Sequence, residues 1–398
     1  MSKIRLALVT ESTVGGIKRH VLNIVQYLDR NLFHPTVLFP GKPRMGQEKE
    51  MDFIEELREL EIPFRLIPMV RQISFLKDLR SFFALKNALA QPSFDVVHAH
   101  GAKAGFLVRL LYRLDSGIPC YFSPHGFAFQ KASGFRSPLY LSLERMAASW
   151  CTGLIVNSTA ESDCALKHQL ARAEKLTVVA NALPLPVFVQ PGSRMRMRNS
   201  LGTSEDRTVF LTMGRLVFYK NHHLVVKALK EIIAAGHPAE LWIAGEGEQR
   251  AELETLAGSL RIEEFVHFLG YRKDIYEVLS GCDCFVLASQ TEASPYSILE
   301  ALAMERPILA TSIPGNLAFL NLVHPCRVFP PNDAPAVVQA MMDFVRHPFS
   351  APQVQALPPE WFDVRSQVGR LEQIYLEAVK RRECVSVGVS QAEGTGRR

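Results

Sequence analysis

The feature that most restricts the fold of this chain is a unit that recurs along it. A short apolar, β-rich run ends in small or polar residues, and a stretch with apolar residues at helical spacing follows. Residues 4–10 form the first run. They lead into Glu11-Ser12-Thr13-Val14-Gly15-Gly16, after which Val21, Ile24, Val25 and Leu28 fall on one helical face. Runs of the same kind occupy residues 35–40, 64–68, 95–98, 120–123, 153–157 and 176–180. Alternation of this kind argues for a parallel sheet with helices on both faces.

Around residues 183–205 the pattern breaks. Leu183-Pro184-Leu185-Pro186 and Pro191-Gly192 cannot continue regular structure, and the basic run Arg194-Met195-Arg196-Met197-Arg198 follows. The alternation then restarts at residues 208–213, 239–244, 265–269, 284–288 and 307–311. The sequence therefore predicts an α/β protein of two Rossmann-like domains. Residues 1–182 form the first, 183–205 a linker with a short helix near its end, and 206–360 the second. An amphipathic segment at 362–381 crosses back to pack on the first domain, and 384–398 are expected to be disordered. A length of 398 residues suits two such cores.

The formal charge of +5 is uneven. Residues 1–182 carry 23 basic and 16 acidic side chains, net +7, whereas residues 206–398 come to about −4. A basic first half suits an anionic partner, although a merely solvated surface would read the same way. Seven scattered cysteines with no CxxC pair read as reduced packing residues and imply the cytoplasm. Lys3-Ile4-Arg5 leads directly into a strand rather than an apolar signal segment. No run approaches the roughly 18 apolar residues of a membrane span.

In open parallel sheets, ligands bind beyond the carboxyl ends of the strands. The loop after residues 284–288 contains Glu292, then Ser294-Pro295-Tyr296-Ser297, then Glu300. Ser294 as N-cap and Pro295 as first helical residue would leave the amides of Tyr296 and Ser297 facing an anion, with the helix dipole behind them. Two carboxylates, Glu292 and Glu300, then flank that site and can accept from sugar hydroxyls. A capped helix with one exposed and one structural glutamate is the plainer alternative. After residues 208–213 comes Gly214-Arg215-Leu216-Val217-Phe218-Tyr219-Lys220-Asn221. Arg215 and Lys220 offer a fork and a point charge for a diphosphate, unless they are ordinary surface charges. Gly245-Glu246-Gly247 makes a third tight turn.

Taken in order, Gly214-Arg215-Leu216…Lys220-Asn221, Gly245-Glu246-Gly247, Phe268-Leu269-Gly270-Tyr271 and Glu292…Glu300-Ala301-Leu302-Ala303 resemble the donor half of the GT-B glycosyltransferases of family 4. The first half agrees through Gly15-Gly16, Asp95-Val96-Val97-His98-Ala99-His100, Pro124-His125-Gly126-Phe127 and Val178-Val179-Ala180-Asn181-Ala182. The resemblance spans about residues 3–380. It implies two Rossmann-like domains facing across a cleft and transfer from a nucleotide diphosphate sugar with retention of configuration. It also implies that no metal and no other cofactor is needed. It assigns Glu300 to ribose hydroxyls, Glu292 to the donor sugar, and Arg215 and Lys220 to the diphosphate. Tyr296, Ser297, Gly214, Gly245 and Gly16 would line the donor site. His125 would lie near the transferred sugar, and Glu292 need not be a nucleophile.

Some residues depart from the family pattern. Ala293-Ser294-Pro295 replaces a glycine-rich segment after Glu292, and Ile313-Pro314-Gly315-Asn316 replaces a glycine pair. These changes bear on the sugar and base rather than on the anion site. His98 and His100, read as following a strand, form an isolated His-x-His pair without an evident third metal ligand. Asn157, Ser158 and Asn181 are weaker hydrogen-bonding candidates, and Lys18 and Arg19 add charge beside Gly15-Gly16.

The acceptor is expected on the first domain, as a glycan or a polyprenyl-diphosphate-linked sugar of surface polysaccharide or lipopolysaccharide synthesis. Residues 71–89 and 103–113 mix apolar and basic residues, which fits either core packing or peripheral contact with an anionic membrane. Nucleic acid is not an expected partner. A sugar-nucleotide epimerase, a phosphorylase and a non-catalytic nucleotide-sugar-binding protein are the competing readings. A dinucleotide oxidoreductase is disfavoured, because no well-placed Gly-x-Gly-x-x-Gly follows the first strand.

Overall fold

A computed structural model describes residues 2–41, 48–70, 73–90, 94–115, 117–351 and 353–394. The chain divides into two compact units, Met1–Asn181 with Val364–Arg398, and Ala182–Asp363.

In the first unit β1 (Ile4–Thr10), β2 (Phe33–Pro40), β3 (Phe64–Ile67), β4 (Val96–His100), β5 (Cys120–Ser123), β6 (Gly153–Val156) and β7 (Leu176–Val178) alternate with helices. These are α1 (Gly15–Tyr27), α2 (Glu48–Glu59), α3 (Phe75–Ala90), α4 (Ala102–Leu114), α5 (Ala128–Lys131), α6 (Arg136–Ala147) and α7 (Thr159–Lys167). All strand pairings are parallel, in the order β3-β2-β1-β4-β5-β6-β7. Leu6, Ala7, Leu8 and Val9 are all buried, as a strand covered on both faces must be. Ala7, Val9, Leu38, Val97 and Ala99 meet Leu85 and Leu89 of α3 and Leu107 and Val108 of α4.

The second unit holds α8 (Ser193–Ser200), β8 (Thr208–Met213), α9 (His222–Ala234), β9 (Ala239–Ala244), α10 (Arg250–Ser259), β10 (Val266–Gly270) and α11 (Ile275–Gly281). It continues with β11 (Cys284–Leu287), α12 (Tyr296–Ala303), β12 (Ile308–Thr311), α13 (Pro314–Leu320), β13 (Arg327–Phe329) and α14 (Ala334–Arg346). Its parallel sheet runs β10-β9-β8-β11-β12-β13. Side chains alternate between two cores. Phe210, Leu241, Ile243 and Val286 join α9 and α14 on one face, while Leu211, Trp242, Phe285 and Leu287 join α11, α12 and α13 on the other. In both units the strand order reverses beside the first strand, between β1 and β4 and between β8 and β11. That switch point is where such sheets open a crevice.

Two expectations change. Residues 183–205 are not a free linker but part of the second unit. Leu183 is buried, its N–H donates to the Trp361 carbonyl at 2.9 Å, and Met197 of α8 is in the core. Arg198 is fully buried and donates to Asp283 at 2.6 Å. The basic run reads as linker because nothing near it in sequence shows the partner of Arg198, which lies 85 residues away. The last helix, α15 (Val364–Gly394), continues through residues 384–394, where disorder was expected. That stretch contains no proline, and extending a formed helix costs far less than nucleating one. Residues 395–398 lie outside the described residues. Tyr375 of α15 is buried in the first unit, with its ring 6.2 Å from that of Phe33.

Candidate active site

The second unit's switch point is built by interlocked loops. Gly245 after β9 has φ +150°, and a Cβ there would sit 1.8 Å from the Gly214 carbonyl oxygen, so only bare backbone fits. Gly214 N–H donates to Ala244 O and Leu216 N–H to Glu246 O, both at 2.9 Å, which pins the loop after β8. His222, at the start of α9, holds that loop from beneath. Burial, with Lys220 nearby, lowers its pKa to about 4, so the ring is neutral. Its Nε2–H donates to the Arg215 carbonyl at 3.2 Å, and its Nδ1 accepts from Thr212 at 3.3 Å. Asn221, at φ +54°, ends the turn that carries Lys220. Its side chain donates to Ala288 O at 3.1 Å and Asn332 Oδ1 at 3.0 Å.

These ties bring Lys220 Nζ onto Glu292 Oε1, which also accepts from Ser289 Oγ at 2.7 Å. Arg215 donates to the Tyr219 hydroxyl. The Gln290 N–H donates to Tyr219 O at 2.8 Å and joins the loops after β8 and β11. Gly315 of α13 backs this arrangement: a Cβ there would lie 2.1 Å from the Glu292 carbonyl.

The start of α12 differs by one residue from expectation. Pro295, in extended conformation, precedes the helix, and Ser294 does not act as its side-chain cap. Proline's fixed φ serves an extended residue as well as a helical one. Tyr296 and Ser297 thereby become the first two helical residues, whose amides have no acceptor within the helix. The Tyr296 ring is buried in the core, and Glu300 is half-buried four residues further along. Gly214, Arg215, Lys220, Gly245 and Glu292 thus meet at one end of this sheet, with Tyr296, Ser297 and Glu300 on the helix that follows. The Arg215–Lys220 loop and Glu292 share a site that sequence proximity could not have shown.

His125 and Gly16 lie in the first unit. Gly16 is the exposed second residue of α1, in the turn of the helix that lacks a side-chain cap. Lys18 does not add charge there: it is buried and pairs with Glu56 of α2 at 2.8 Å. His98 and His100 are inside β4 rather than after it, both fully buried. Hydrogen bonds fix their tautomers. Ser123 Oγ donates to Ile155 O at 2.7 Å, so His98 Nε2–H donates to Ser123 at 2.9 Å and His98 Nδ1 accepts from Tyr375 at 2.7 Å. Asn157 Nδ2 donates to His125 Nδ1 at 2.9 Å, so His125 Nε2–H donates to His100 Nδ1 at 3.1 Å. His20 Nδ1–H donates to Asn181 at 3.1 Å.

Burial drives the pKa of His20 to about 4 and holds His98, His100 and His125 well below the ordinary range. Donor atoms of His20, His100 and His125 lie within 4.8 Å of one another, a group that includes His100 of the His-x-His pair but not His98. With these tautomers, however, the cluster presents one lone pair, on His20 Nε2, because both His125 nitrogens are already engaged.

A residue not singled out from sequence organises this cluster. Glu161 is buried and accepts from Gly126 N–H at 2.5 Å and Asn157 N–H at 2.8 Å, fixing the turn at His125, whose φ is +52°. Burial raises its pKa despite those bonds. Its signal was legible as Ser158-x-x-Glu161 at a helix start, where Ser158 Oγ accepts from Glu161 N–H. His20, His222 and Ser289 gave no comparable signal, whereas Asn221 and Gly315 stood in segments already compared with the family pattern.

Two family models match, a glycosyl transferase 4-like domain over residues 15–182 and glycosyl transferases group 1 over residues 193–355. A UDP-Gal:alpha-D-GlcNAc-diphosphoundecaprenol alpha-1,3-galactosyltransferase of Escherichia coli is 30% identical over 323 residues, 79% of this chain and 81% of the relative. The chain belongs to the group 1 glycosyltransferases. Solved structures agree on the fold. HepE of Anabaena, in complex with UDP and glucose, superposes with a TM-score of 0.72 at 17% identity, covering 98% of this chain and 100% of that one. WaaG, a glycosyltransferase involved in lipopolysaccharide biosynthesis, gives 0.67 at 16% identity, covering 96% and 99%. This group 1 glycosyltransferase therefore has the GT-B fold, with one family model falling in each unit.

Proposed function

We propose that the protein moves a hexosyl group from a UDP-sugar to a polyprenyl-diphosphate-linked glycan, with retention of configuration and without a divalent cation. The observation that carries this reading is the Lys220–Glu292 pair at the second unit's switch point, with Arg215 on the same loop as Lys220 and the start of α12 four residues after Glu292. Cations and helix amides there can stabilise a departing diphosphate, and Glu292 can accept from hydroxyls of the sugar. In the step envisaged, the anomeric C–O bond breaks and its electron pair goes to the diphosphate. The acceptor oxygen bonds to the same face of that carbon, and its proton passes to the leaving phosphate. Glu300, Tyr296, Ser297, Gly214 and Gly245 complete the donor site in this reading. His125, through its own turn, and Gly16, at the α1 start, act around the transferred sugar. Support for UDP and for the lipid carrier comes from the 30% identical Escherichia coli relative, whose name contains both. A lipid-linked acceptor resides in a bilayer, so in this reading the enzyme works at a membrane surface. Among the described residues no helix is long and apolar enough to cross one.

The test incubates purified protein with UDP-, GDP- and ADP-hexoses and a short-chain polyprenyl-diphosphate sugar, with and without EDTA. The expected product keeps the donor's anomeric configuration by NMR and forms equally fast in EDTA. Conversion of the nucleotide sugar without acceptor, or a need for orthophosphate, would establish an epimerase or a phosphorylase instead.

A further inference from the structure

Helix α3 carries apolar side chains on two faces. Ser81, Leu85 and Leu89 are buried and point to the sheet core. Phe75, Leu76, Leu79 and Phe83 lie on another face, Phe75, Leu79 and Phe83 at four-residue spacing, and are 80%, 77%, 43% and 54% exposed. The outward face is thus richer in large apolar groups than the face in the core. Ile73, just before the helix, is exposed as well. Such side chains scattered singly need no explanation, but five within eleven residues form a contiguous patch.

The exposed charges of α3 itself have one sign. Lys77, Arg80 and Lys86 are exposed on the same helix. The helix's acidic residue, Asp78, is taken up internally: it pairs with Lys103 at 2.6 Å and accepts from the Ser74 N–H at 2.9 Å. An apolar face rimmed by unopposed cations is complementary to a surface that is apolar within and anionic at its boundary.

We propose that α3 is the element by which this protein docks on an anionic lipid bilayer, with Phe75, Leu76, Leu79 and Phe83 entering the acyl boundary and Lys77, Arg80 and Lys86 meeting lipid phosphates. The proposal rests for its purpose on the lipid-linked acceptor of the reading above, but not for its physics. Binding to the bilayer holds the first unit where a lipid-linked acceptor is concentrated.

Flotation of the full chain with phosphatidylcholine vesicles, with and without 30% phosphatidylglycerol, tests it, alongside size-exclusion chromatography without lipid. The wild type should float with the anionic vesicles. Phe75→Glu/Leu79→Glu should lose at least tenfold in bound fraction on both compositions, and Lys77→Glu/Arg80→Glu should lose it on anionic vesicles alone. Melting temperatures should stay within a few degrees, since the substituted side chains are exposed. Transfer to a water-soluble acceptor should be unchanged, and transfer to a vesicle-embedded acceptor should fall. A wild type that stays at the bottom of the gradient, or a folded Phe75→Glu/Leu79→Glu variant that floats fully, overturns the proposal. So does a dimer that this variant converts to monomer, which would make a second copy the occupant. If no acceptor is glycosylated, the functional reading fails while flotation still decides this one.

Discussion

The two units reverse their strand order at the same place in the sheet, yet they fill that place with opposite chemistry. In the second unit the loops after β8 and β11 present an ammonium and a carboxylate, Lys220 and Glu292, each still partly open to solvent. In the first, the ends of β4 and β5 gather His98, His100 and His125 with His20 of α1, three of them buried and His125 half-buried, and loss of solvent holds all four neutral. One site can exchange its internal ion pair for a charged ligand. The other is a network of fixed tautomers, in which each ring nitrogen's role follows from its neighbour's. The fold supplies a crevice, and the residues at the strand ends decide what it is for.

The largest effect expected from breaking this contrast is on the charged site. Lys220→Ala and Glu292→Ala should each lower kcat by about 10²- to 10³-fold, the size seen when a group that stabilises transition-state charge is removed. Circular dichroism and melting temperature should change little. A folded variant of either kind with full turnover would remove the pair from the mechanism.

The neutral network should instead reveal itself in stability. Glu161→Ala strips two buried N–H groups of their acceptor, at about 1–3 kcal/mol each, so thermal unfolding of the first unit should occur several degrees lower. Unchanged melting would mean that water replaces the carboxylate without loss.

Acid should separate the two regions further. The histidines bind protons more weakly when folded than when unfolded, His20 and His222 with folded pKa values of about 4. Their contribution to stability is complete above the unfolded value of about 6.5 and is lost as pH falls toward 4. Melting temperature should therefore drop from pH 7 to pH 4, and His20→Gln should flatten that slope. A variant that follows the wild-type curve would show that His20 is not buried neutral.

The smallest effect is expected at Lys18, whose ammonium pairs with Glu56 rather than with the Gly15-Gly16 loop. Lys18→Met should change the KM for the nucleotide sugar by less than about threefold. A loss of an order of magnitude would return that charge to the donor site.

Most of the architecture was legible because the central strands of both sheets are almost wholly buried and read as apolar runs, separated by amphipathic helices. The candidate donor-site residues were placed for a related reason. Gly214, Arg215, Lys220 and Glu292 lie in the loops that follow β8 and β11, with Glu300 on the helix beyond, so local order along the chain put them after two neighbouring strands. Groups that act through distant partners were not. Arg198 reads as linker until Asp283 is found beside it, and His20 reads as one residue of an amphipathic helix until its ring is placed 4.8 Å from that of His125. The outward apolar face of α3 is legible as residues but not as a face, because helical spacing does not say which side meets the sheet.

By itself, the sequence determined where chain direction changes, which residues sit at those changes, and hence two Rossmann-like units with a cationic loop and a helix start in the second. Tertiary structure alone decided which side chains are charged, which are neutral, and which partner each one has. Periodicity is a property of neighbours along the chain, whereas burial and hydrogen bonding, which set protonation and tautomer, are made by residues that the fold brings together from far apart.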